Sequence, residues 1–245
     1  QVSRKIEDIL EDVRALQDGG VQELILIAQD VCAYRSDRGL KDGLTVLLQE
    51  ILRIAPSIPW IRLLYTYPGE ISQSLIDLMA ESKQILPYLD IPLQHAAPTV
   101  LRRMHRPANV KKIIDFLQDV RRRIPQIALR TTFIVGFPGE SEENFNALLD
   151  FVRTLRFDRL GIFSYSHEIG TPAFQYGDDV PVEEKESRLQ RLAVLQEEIS
   201  QEKNKEFVGK EMQVIVDGVG DGVSICRSYR DAPEIDGLVI VKGEL

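Results

Sequence analysis

The fold is decided by the stretch ALRTTFIVGFPGESEENFNALLDFVRTL, residues 128–155. It begins with an apolar run over 128–135, turns through two glycines and a proline over 136–140, and continues as an amphipathic run over 142–155. A short apolar run, a turn and a helical pattern in this order predict one strand–helix unit of a parallel sheet. Ser141 stands where its hydroxyl can cap the free amide groups of that helix.

The same strand–helix pattern recurs over the first two thirds of the chain. Most of the strand candidates are apolar on both faces, as expected of parallel strands that helices cover. The intervals between them each leave room for one crossover helix. The predicted strands are residues 23–28, 60–65, 87–91, 128–135 and 157–163, and the predicted helices are 43–54, 71–82, 110–123 and 142–155. We therefore predict an α/β protein whose functional groups gather at the carboxyl ends of its strands.

The beginning of the chain departs from this order. Residues 3–16 carry an apolar stripe at helical spacing, and this helix comes before any predicted strand. In a protein built from strand–helix units, a helix should follow a strand. We therefore expect that at least one strand is missing ahead of Gln1.

The last third follows a different pattern. A long charged helix is predicted from Pro181 to about Lys205. Short strands separated by Gly218, Gly220, Gly222 and Gly237 are then predicted at residues 211–216, 223–227 and 238–241. Three strands are too few to close a barrel. We predict two domains, residues 1–206 and 207–245, of which the second is truncated.

Composition narrows the class of protein. The 245 residues are 44% hydrophobic and 28% charged, with a mean hydropathy of −0.13, which favours a folded chain with a core. The net charge of −8 argues against nucleic acid as the main partner and suits a basic protein partner. No apolar run is long enough to cross a bilayer, and we expect no secretory signal. Two cysteines, Cys32 and Cys226, can form neither a disulfide framework nor an iron–sulfur site between them, so we expect a cytoplasmic protein.

Several polar residues at the predicted strand ends have both a structural and a functional interpretation. Asp30 can cap a turn after its strand, and residues 136–140 can form a tight turn into a helix. His95 follows a strand, where a lone histidine is commonly a hydrogen-bonded structural residue and less often a catalytic one. His105, His167 and the cysteines show no zinc-binding spacing, so no metal site is predicted.

Seven segments in a fixed order carry a resemblance that none of them carries alone. They are IAQD (27–30), WIRLLY (60–65), YLDIPLQH (88–95), LRRMHRP (101–107), LRTTFIVGFPGE (129–140), YS with GTPA (165–166 and 170–173), and RSYRDAPEIDG (227–237). Together they closely resemble the radical S-adenosylmethionine methylthiotransferases over essentially the whole chain. The tail resembles the branch of this family that modifies a ribosomal protein.

The resemblance implies a partial (β/α)6 TIM-like barrel without its first strand, followed by an incomplete small β-barrel, the TRAM domain. Family members hold a 4Fe–4S cluster on a CxxxCxxC loop and use S-adenosylmethionine to generate a 5′-deoxyadenosyl radical. A second cluster, held by a further N-terminal domain, takes part in supplying the sulfur. The implied product is a methylthio group on the β-carbon of an aspartate in small-subunit ribosomal protein twelve. This sequence contains no CxxxCxxC, so we expect the cluster loop upstream of Gln1 and the fragment alone to be inactive.

The resemblance also suggests roles for individual residues. Gln29, with Asp30 beside it, would bind the methionine amino group, and Arg130 its carboxylate, because guanidinium and carboxylate pair in a bidentate fork. Gln94 would hydrogen-bond the ribose, and Gly136 and Phe137 would lie beside the adenine. Tyr65 and Tyr165 would exclude water from the site.

The tail is the candidate surface for the protein substrate. The residues proposed to contact it are Arg227, Tyr229, Arg230, Asp231, Glu234 and Asp236, whose acidic members would suit a basic ribosomal protein. The other interpretation is a long loop between two strands, with Pro233 and Gly237 as turn residues.

Two other functions stay open on the sequence. One is the tRNA-adenosine methylthiotransferase of the same family, against which the acidic balance and the tail argue. The other is a binding module that keeps the barrel without a cluster. The sulfur and electron donors are further expected partners, and a membrane is not.

Overall fold

The computed structural model describes residues 2–245. The α-helices are α1 Ile6–Asp18, α2 Gly43–Ile54, α3 Gln73–Glu81, α4 Pro98–Arg103, α5 Val110–Arg123, α6 Glu142–Leu155 and α7 Val182–Lys205. The strands are β1 Glu23–Leu26, β2 Trp60–Leu63, β3 Tyr88–Asp90, β4 Ala128–Val135, β5 Arg159–Ser164, β6 Val214–Gly220, β7 Val223–Ser228 and β8 Val239–Lys242. Short 3-10 helices cover Ser36–Arg38 and Pro172–Tyr176.

The residues pack into two compact units. The first unit comprises residues 2–90, 123–127 and 211–245, and the second comprises 91–122 and 128–210. The tail of the chain therefore belongs to the same unit as its beginning.

In the first unit, β1 and β2 pair in parallel, from Glu23 opposite Trp60 to Leu26 opposite Leu63. An isolated parallel bridge joins Ile61 to Ile85. All four residues of β2 are buried, including Arg62, so this strand is covered on both faces.

The tail adds an antiparallel sheet to the first unit, in the order β6-β7-β8. A bulge shifts the β6–β7 register between Val216 and Gly218. Hydrogen bonds attach the tail to the parallel strands; among them, Tyr88 Oη donates to Asp236 Oδ2 at 2.6 Å, and Arg62 Nη1 donates to the Tyr229 carbonyl at 2.9 Å.

In the second unit, β4 and β5 pair in parallel from Arg130 opposite Arg159 to Val135 opposite Ser164. Helix α6 begins with a capping box, because Ser141 and Asn144 each bind the other's backbone amide through the side chain. Buried Phe133 packs edge-on against Phe151 and Phe157 and forms the centre of the core.

Many of the predicted elements are confirmed. Helices α2, α5 and α6 and strand β4 have the predicted bounds, and the other predicted elements differ at their ends by a few residues. The short helix α4 was not predicted. The prediction that Gly218 and Gly220 separate two strands was wrong, because both belong to β6. The bulge between Val216 and Gly218 accommodates the extra residue in this strand. Within residues 2–245, no helix combines the length and hydropathy that a membrane span requires.

Candidate functional site

A cavity of about 660 Å³ lies at the carboxyl ends of β4 and β5 in the second unit. We call it the β4–β5 cavity. Its walls include Gln94, Thr132, Ile134, Phe137, Phe163 and Tyr165. Residues along β4 alternate in exposure: Thr131, Phe133 and Val135 are buried, whereas Thr132 and Ile134 are half-buried and line the cavity. This volume lies in the range of small-molecule sites.

Gln94 is held at the cavity wall by its backbone. Its amide donates to the Thr132 carbonyl at 2.8 Å, and its carbonyl accepts from the Ile134 amide at 2.8 Å. Its φ of 70° is in the left-handed region, which a residue with a side chain seldom adopts. The paired backbone thus fixes a strained residue with its side chain at the cavity, a feature common at functional sites.

Two aromatic rings form the apolar side of the cavity. Phe137 is buried, and its ring lies edge-on to the ring of Tyr165, with centroids 5.1 Å apart. Phe137 also packs with Ala97 and Val100. The predicted residues Gln94, Phe137 and Tyr165 therefore line one cavity.

A buried carboxylate, Glu140, organises the turn that carries Phe137. Its Oε2 accepts from the amides of Gly136 at 2.6 Å and Phe137 at 3.2 Å. Arg188 of α7 places Nη1 3.2 Å from Oε1, and the same atom donates to the Glu140 carbonyl at 3.0 Å. Both side chains are at most 5% exposed, so this ion pair is little screened by solvent.

His95 has a structural environment. Its Nδ1 accepts from the Ala97 amide at 2.9 Å, so in the neutral ring Nε2 carries the proton. Nε2 lies 3.7 Å from Glu140 Oε2, and the side chain is fully buried. The contacts of His95 are therefore those of a hydrogen-bonded structural histidine.

Gly136 meets a neighbour on its open side. An added Cβ would lie 2.3 Å from Cγ of Lys185, and φ is 72°. The Lys185 ammonium pairs with Asp178 at 2.5 Å and lies 5.3 Å from the centroid of the Tyr165 ring. The Lys185 side chain fills the space beside Gly136, which accounts for the absence of a side chain at this position. The ligand predicted to approach Gly136 would therefore compete with Lys185.

Replacing Gly136 with alanine is expected to lower the free energy of unfolding by about 2 to 4 kcal/mol, through a strained φ together with overpacking against Lys185. Gly170→Ala is the matched control: its φ is 87°, but nothing lies within 4 Å of the added Cβ. We expect Gly170→Ala to lower the free energy of unfolding by about 1 kcal/mol. Urea unfolding of both variants gives the comparison, and equal losses would show that Lys185 does not restrict the site.

Three predicted site residues lie in the first unit. Gln29 and Asp30 line a cavity of about 520 Å³ beside α1, β1 and α2. Asp30 Oδ1 accepts from the Cys32 amide at 2.9 Å, which is the predicted turn cap, and burial raises the pKa of its carboxyl. Tyr65 has a φ of 59°, and its amide donates to Asp90 Oδ2 at 3.0 Å. Its side chain is partly exposed.

Cys32 follows that turn, and burial raises the pKa of its thiol to about 12. Since only the thiolate reacts, alkylation by iodoacetamide at pH 8 is expected to be on the order of 10- to 100-fold slower in the folded chain than in the unfolded chain. Mass spectrometry of the Cys32 peptide, with and without urea, measures the ratio. Equal rates would mean that the thiol is exposed to solvent.

Arg130 begins the paired part of β4 and is half-buried. It lies five positions before Val135 at the end of the strand, about 17 Å at the usual rise per residue. It is not among the residues that line the β4–β5 cavity. Its guanidinium lies 3.6 Å from the position of an added Cβ at Gly161.

Most of the residues predicted to contact a protein substrate are engaged within the first unit. Arg227, Arg230 and Asp231 are buried, which corrects the expectation that they form a contact surface. Asp231 Oδ2 accepts from the Ser228 hydroxyl at 2.6 Å, and Tyr229 Oη donates to the Gln126 carbonyl at 3.0 Å.

The remaining tail residues are more accessible. Glu234 is exposed, whereas Tyr229 and Asp236 are half-buried. Asp236 Oδ2 accepts from the Tyr88 hydroxyl and from the Ala232 amide.

The described residues do not fit an iron–sulfur cluster. Within residues 2–245, no group of three or more His, Cys, Asp or Glu side chains is placed to hold a metal ion. Cys226 is buried, and the high thiol pKa of Cys32 opposes the thiolate that a cluster ligand requires.

Comparison with known families agrees with this architecture. Residues 1–152 match the model of the Radical SAM superfamily, and residues 208–245 match that of the TRAM domain. The chain belongs to the radical SAM superfamily. The predicted α/β radical SAM fold with a TRAM domain is thereby confirmed.

The more specific likeness is to proteins named ribosomal protein uS12 methylthiotransferase RimO. The chain is 46% identical to that of Roseiflexus sp. (strain RS-1) over 98% of this chain and 52% of the relative. It is 44% identical to that of Carboxydothermus hydrogenoformans, over 99% of this chain and 56% of the relative. The chain thus spans about half the length of the curated relatives it matches.

Solved structures support the fold alone. The radical S-adenosylmethionine methyltransferase TsrM from Kitasatospora setae, solved with cobalamin and a [4Fe-4S] cluster, superposes with a TM-score of 0.52 at 18% identity, covering 66% of this chain and 31% of its own. Coproporphyrinogen III oxidase (HemN) from Escherichia coli, a radical SAM enzyme, gives 0.51 at 21% identity, covering 87% and 48%.

Proposed function

We propose that this chain is the core of a radical SAM methylthiotransferase that modifies an aspartate of ribosomal protein uS12 in the cytoplasm. The observation that carries the proposal is the 43–46% identity to proteins of that name over nearly the entire chain. The net charge of −8 suits a basic ribosomal protein as substrate. Further proposed partners are a sulfur donor and an electron donor.

The β4–β5 cavity supports a place for S-adenosylmethionine. Gln94 offers an amide that can both donate to and accept from ribose hydroxyls, and Phe137 and Tyr165 offer aromatic surface for adenine. When bound, S-adenosylmethionine supplies the radical chemistry of the superfamily. The rings exclude water from the cavity wall, which protects a reactive site from side reactions.

The other assignments stay part of the proposal. Gln29 would bind the methionine amino group and Arg130 its carboxylate, Asp30 would be a further cofactor-binding residue, and Gly136 would border the adenine. Tyr65 would shield the site. We also propose the domain division at residues 206 and 207, and Glu234 with Asp236 as the accessible acidic groups of the tail.

The test uses the full gene product that contains this chain, purified anaerobically with iron and sulfide. With S-adenosylmethionine, a one-electron reductant and sulfide as the sulfur source, uS12 is expected to exchange one hydrogen of its aspartate for a methylthio group, and mass spectrometry of its peptides detects the change. Modification of tRNA in place of uS12 would favour the related tRNA enzyme. A gene product that binds no iron and modifies neither substrate would favour a binding module.

The cavity assignment has a test of its own. Gln94→Ala in the same gene product is expected to weaken S-adenosylmethionine binding by about 10-fold in calorimetry, the loss of roughly one or two hydrogen bonds. Gln22→Ala is the control, because Gln22 is exposed and lies outside the cavity. Unchanged affinity for Gln94→Ala would remove this residue from the site.

A further inference from the structure

One rim of the β4–β5 cavity carries a positioned guanidinium, that of Arg103 at the end of α4. The guanidinium carbon lies 4.7 Å from the centroid of the Tyr176 ring. Its terminal atoms lie 2.9 Å from the position that a Cβ would occupy on Gly139. The Arg103 guanidinium thus stacks on the face of Tyr176 and occupies the space that a side chain at Gly139 would fill.

Within residues 2–245, Arg103 makes no ion pair or hydrogen bond through its side chain, although it stacks on a ring. Two exposed arginines on other helices differ in this respect: Arg122 and Arg153 each pair with an aspartate three residues away. A guanidinium has five donors in a fixed fork and no acceptor. Arg103 therefore presents this fork beside the cavity without an anion to meet it.

The remaining charges at the cavity define which ligand fits. Arg106 also lines it, and Glu168 is the carboxylate among the lining residues. Glu168 Oε1 already accepts from the Ser166 hydroxyl at 2.6 Å. The lining side chains thus include two guanidinium groups and one carboxylate, so the rim is cationic on balance.

We propose that Arg103 binds the carboxylate of the acceptor aspartate and thereby selects aspartate over asparagine. This inference rests on the proposed function. The β-carbon of an aspartate is bonded directly to its carboxylate carbon, so a bidentate grip on the carboxylate fixes the reacting carbon one bond away. An asparagine would turn an amide donor toward a group that has only donors, and would lose one of the two bonds.

The position of Arg103 favours this ligand over the methionine carboxylate of S-adenosylmethionine. Arg103 packs on Gly139, three residues after Gly136 and two after Phe137, where the proposed function places adenine. The methionine group lies at the other end of S-adenosylmethionine from adenine. A cation at the adenine end is free to meet a second substrate.

The test measures binding of purified uS12, and of uS12 with its acceptor aspartate changed to asparagine, to the full gene product with S-adenosylmethionine present. We expect the aspartate form to bind about 10- to 100-fold more tightly, the usual range for a charge-assisted pair. In Arg103→Gln the two forms should bind within about 3-fold of each other, and Arg103→Lys should fall between. Affinity for S-adenosylmethionine should not change.

Arg102→Gln is the matched control, since Arg102 is an exposed neighbour on α4 that does not line the cavity. It should keep the full preference for aspartate. Because Arg103 is exposed, its variants are expected to fold, and Tyr176→Leu, which removes the stacking ring, provides an independent variant with a reduced preference.

Three outcomes would overturn the inference. A preference for aspartate that Arg103→Gln leaves intact would exclude the residue as the selector. Weakened S-adenosylmethionine binding with an unchanged preference would assign Arg103 to the other substrate. Failure of the unsubstituted gene product to bind uS12 at all would remove the proposed function itself, and is thereby distinguishable from the first two.

Discussion

Replacing Glu140 with alanine is expected to lower the free energy of unfolding by about 3 to 5 kcal/mol, the cost of leaving a buried charge without its partner. Arg188 is 5% exposed and faces Glu140 Oε1 at 3.2 Å. Without the carboxylate, the amides of Gly136 and Phe137 also lose their acceptor. Arg188 retains its bond to Glu184 on the same helix, which limits the loss.

Urea unfolding of this chain measures the effect, with Glu143→Ala as the control. Glu143 is an exposed glutamate one helical turn away, and its replacement is expected to change the free energy by less than 0.5 kcal/mol. The same loss in both variants would mean that helix propensity or net charge, and not the buried pair, is responsible. Because Phe137 lines the β4–β5 cavity, Glu140→Ala should also weaken ligand binding there.

The β4–α6 unit shows what the sequence alone can predict. An eight-residue run with apolar residues at both ends, a turn with two glycines and Ser141 as a cap are local signals, and each requires only neighbours along the chain. The strand and helix bounds follow from them. The same locality explains why Gln94, Phe137 and Tyr165 could be predicted: each stands just after a strand, and strand ends of a parallel sheet meet at one edge.

Groups that meet across long stretches of sequence could not be predicted. Lys185 and Arg188 lie in a charged helix that reads as solvent-facing, yet both are buried against the turn at residues 136–140. No local pattern distinguishes them from the exposed charges of α7. The position of the Arg103 guanidinium could not be predicted either, because it depends on the Tyr176 ring and on the absence of a side chain at Gly139.

The tail is a second region in which the burial of charged residues could not be predicted. Its charged motif is predicted to contact the substrate because its acidic members would suit a basic ribosomal protein. Arg227 is instead buried between two carboxylates, Glu23 Oε2 at 2.6 Å and Asp217 Oδ2 at 2.7 Å. Burial alone would lower the pKa of Arg227, but the hydrogen bonds to Asp217 and Glu23 outweigh it and raise the pKa, so the group stays charged.

Glu23 joins that tail to the parallel strands, because its second oxygen accepts from Arg62 Nε at 2.6 Å. Arg62 is fully buried in β2, stacks on Tyr88 at 4.5 Å, and reaches the Tyr229 carbonyl at 2.9 Å. The Glu23 carboxylate thus pairs with two buried guanidinium groups that lie 165 residues apart in the sequence. Removal of the Glu23 carboxylate leaves the fully buried Arg62 without a carboxylate partner.

Glu23→Ala is therefore expected to destabilise the chain by about 3 to 5 kcal/mol in urea unfolding. Glu11→Ala on α1 is the control, since Glu11 is exposed and should cost less than 0.5 kcal/mol. The double variant Glu23→Leu with Arg62→Met removes both charges from the buried place, and it should recover part of the loss because apolar groups there need no partner. If the double variant is less stable than Glu23→Ala by more than 1 kcal/mol, packing of the Arg62 stem on Tyr88, and not charge pairing, holds this junction together.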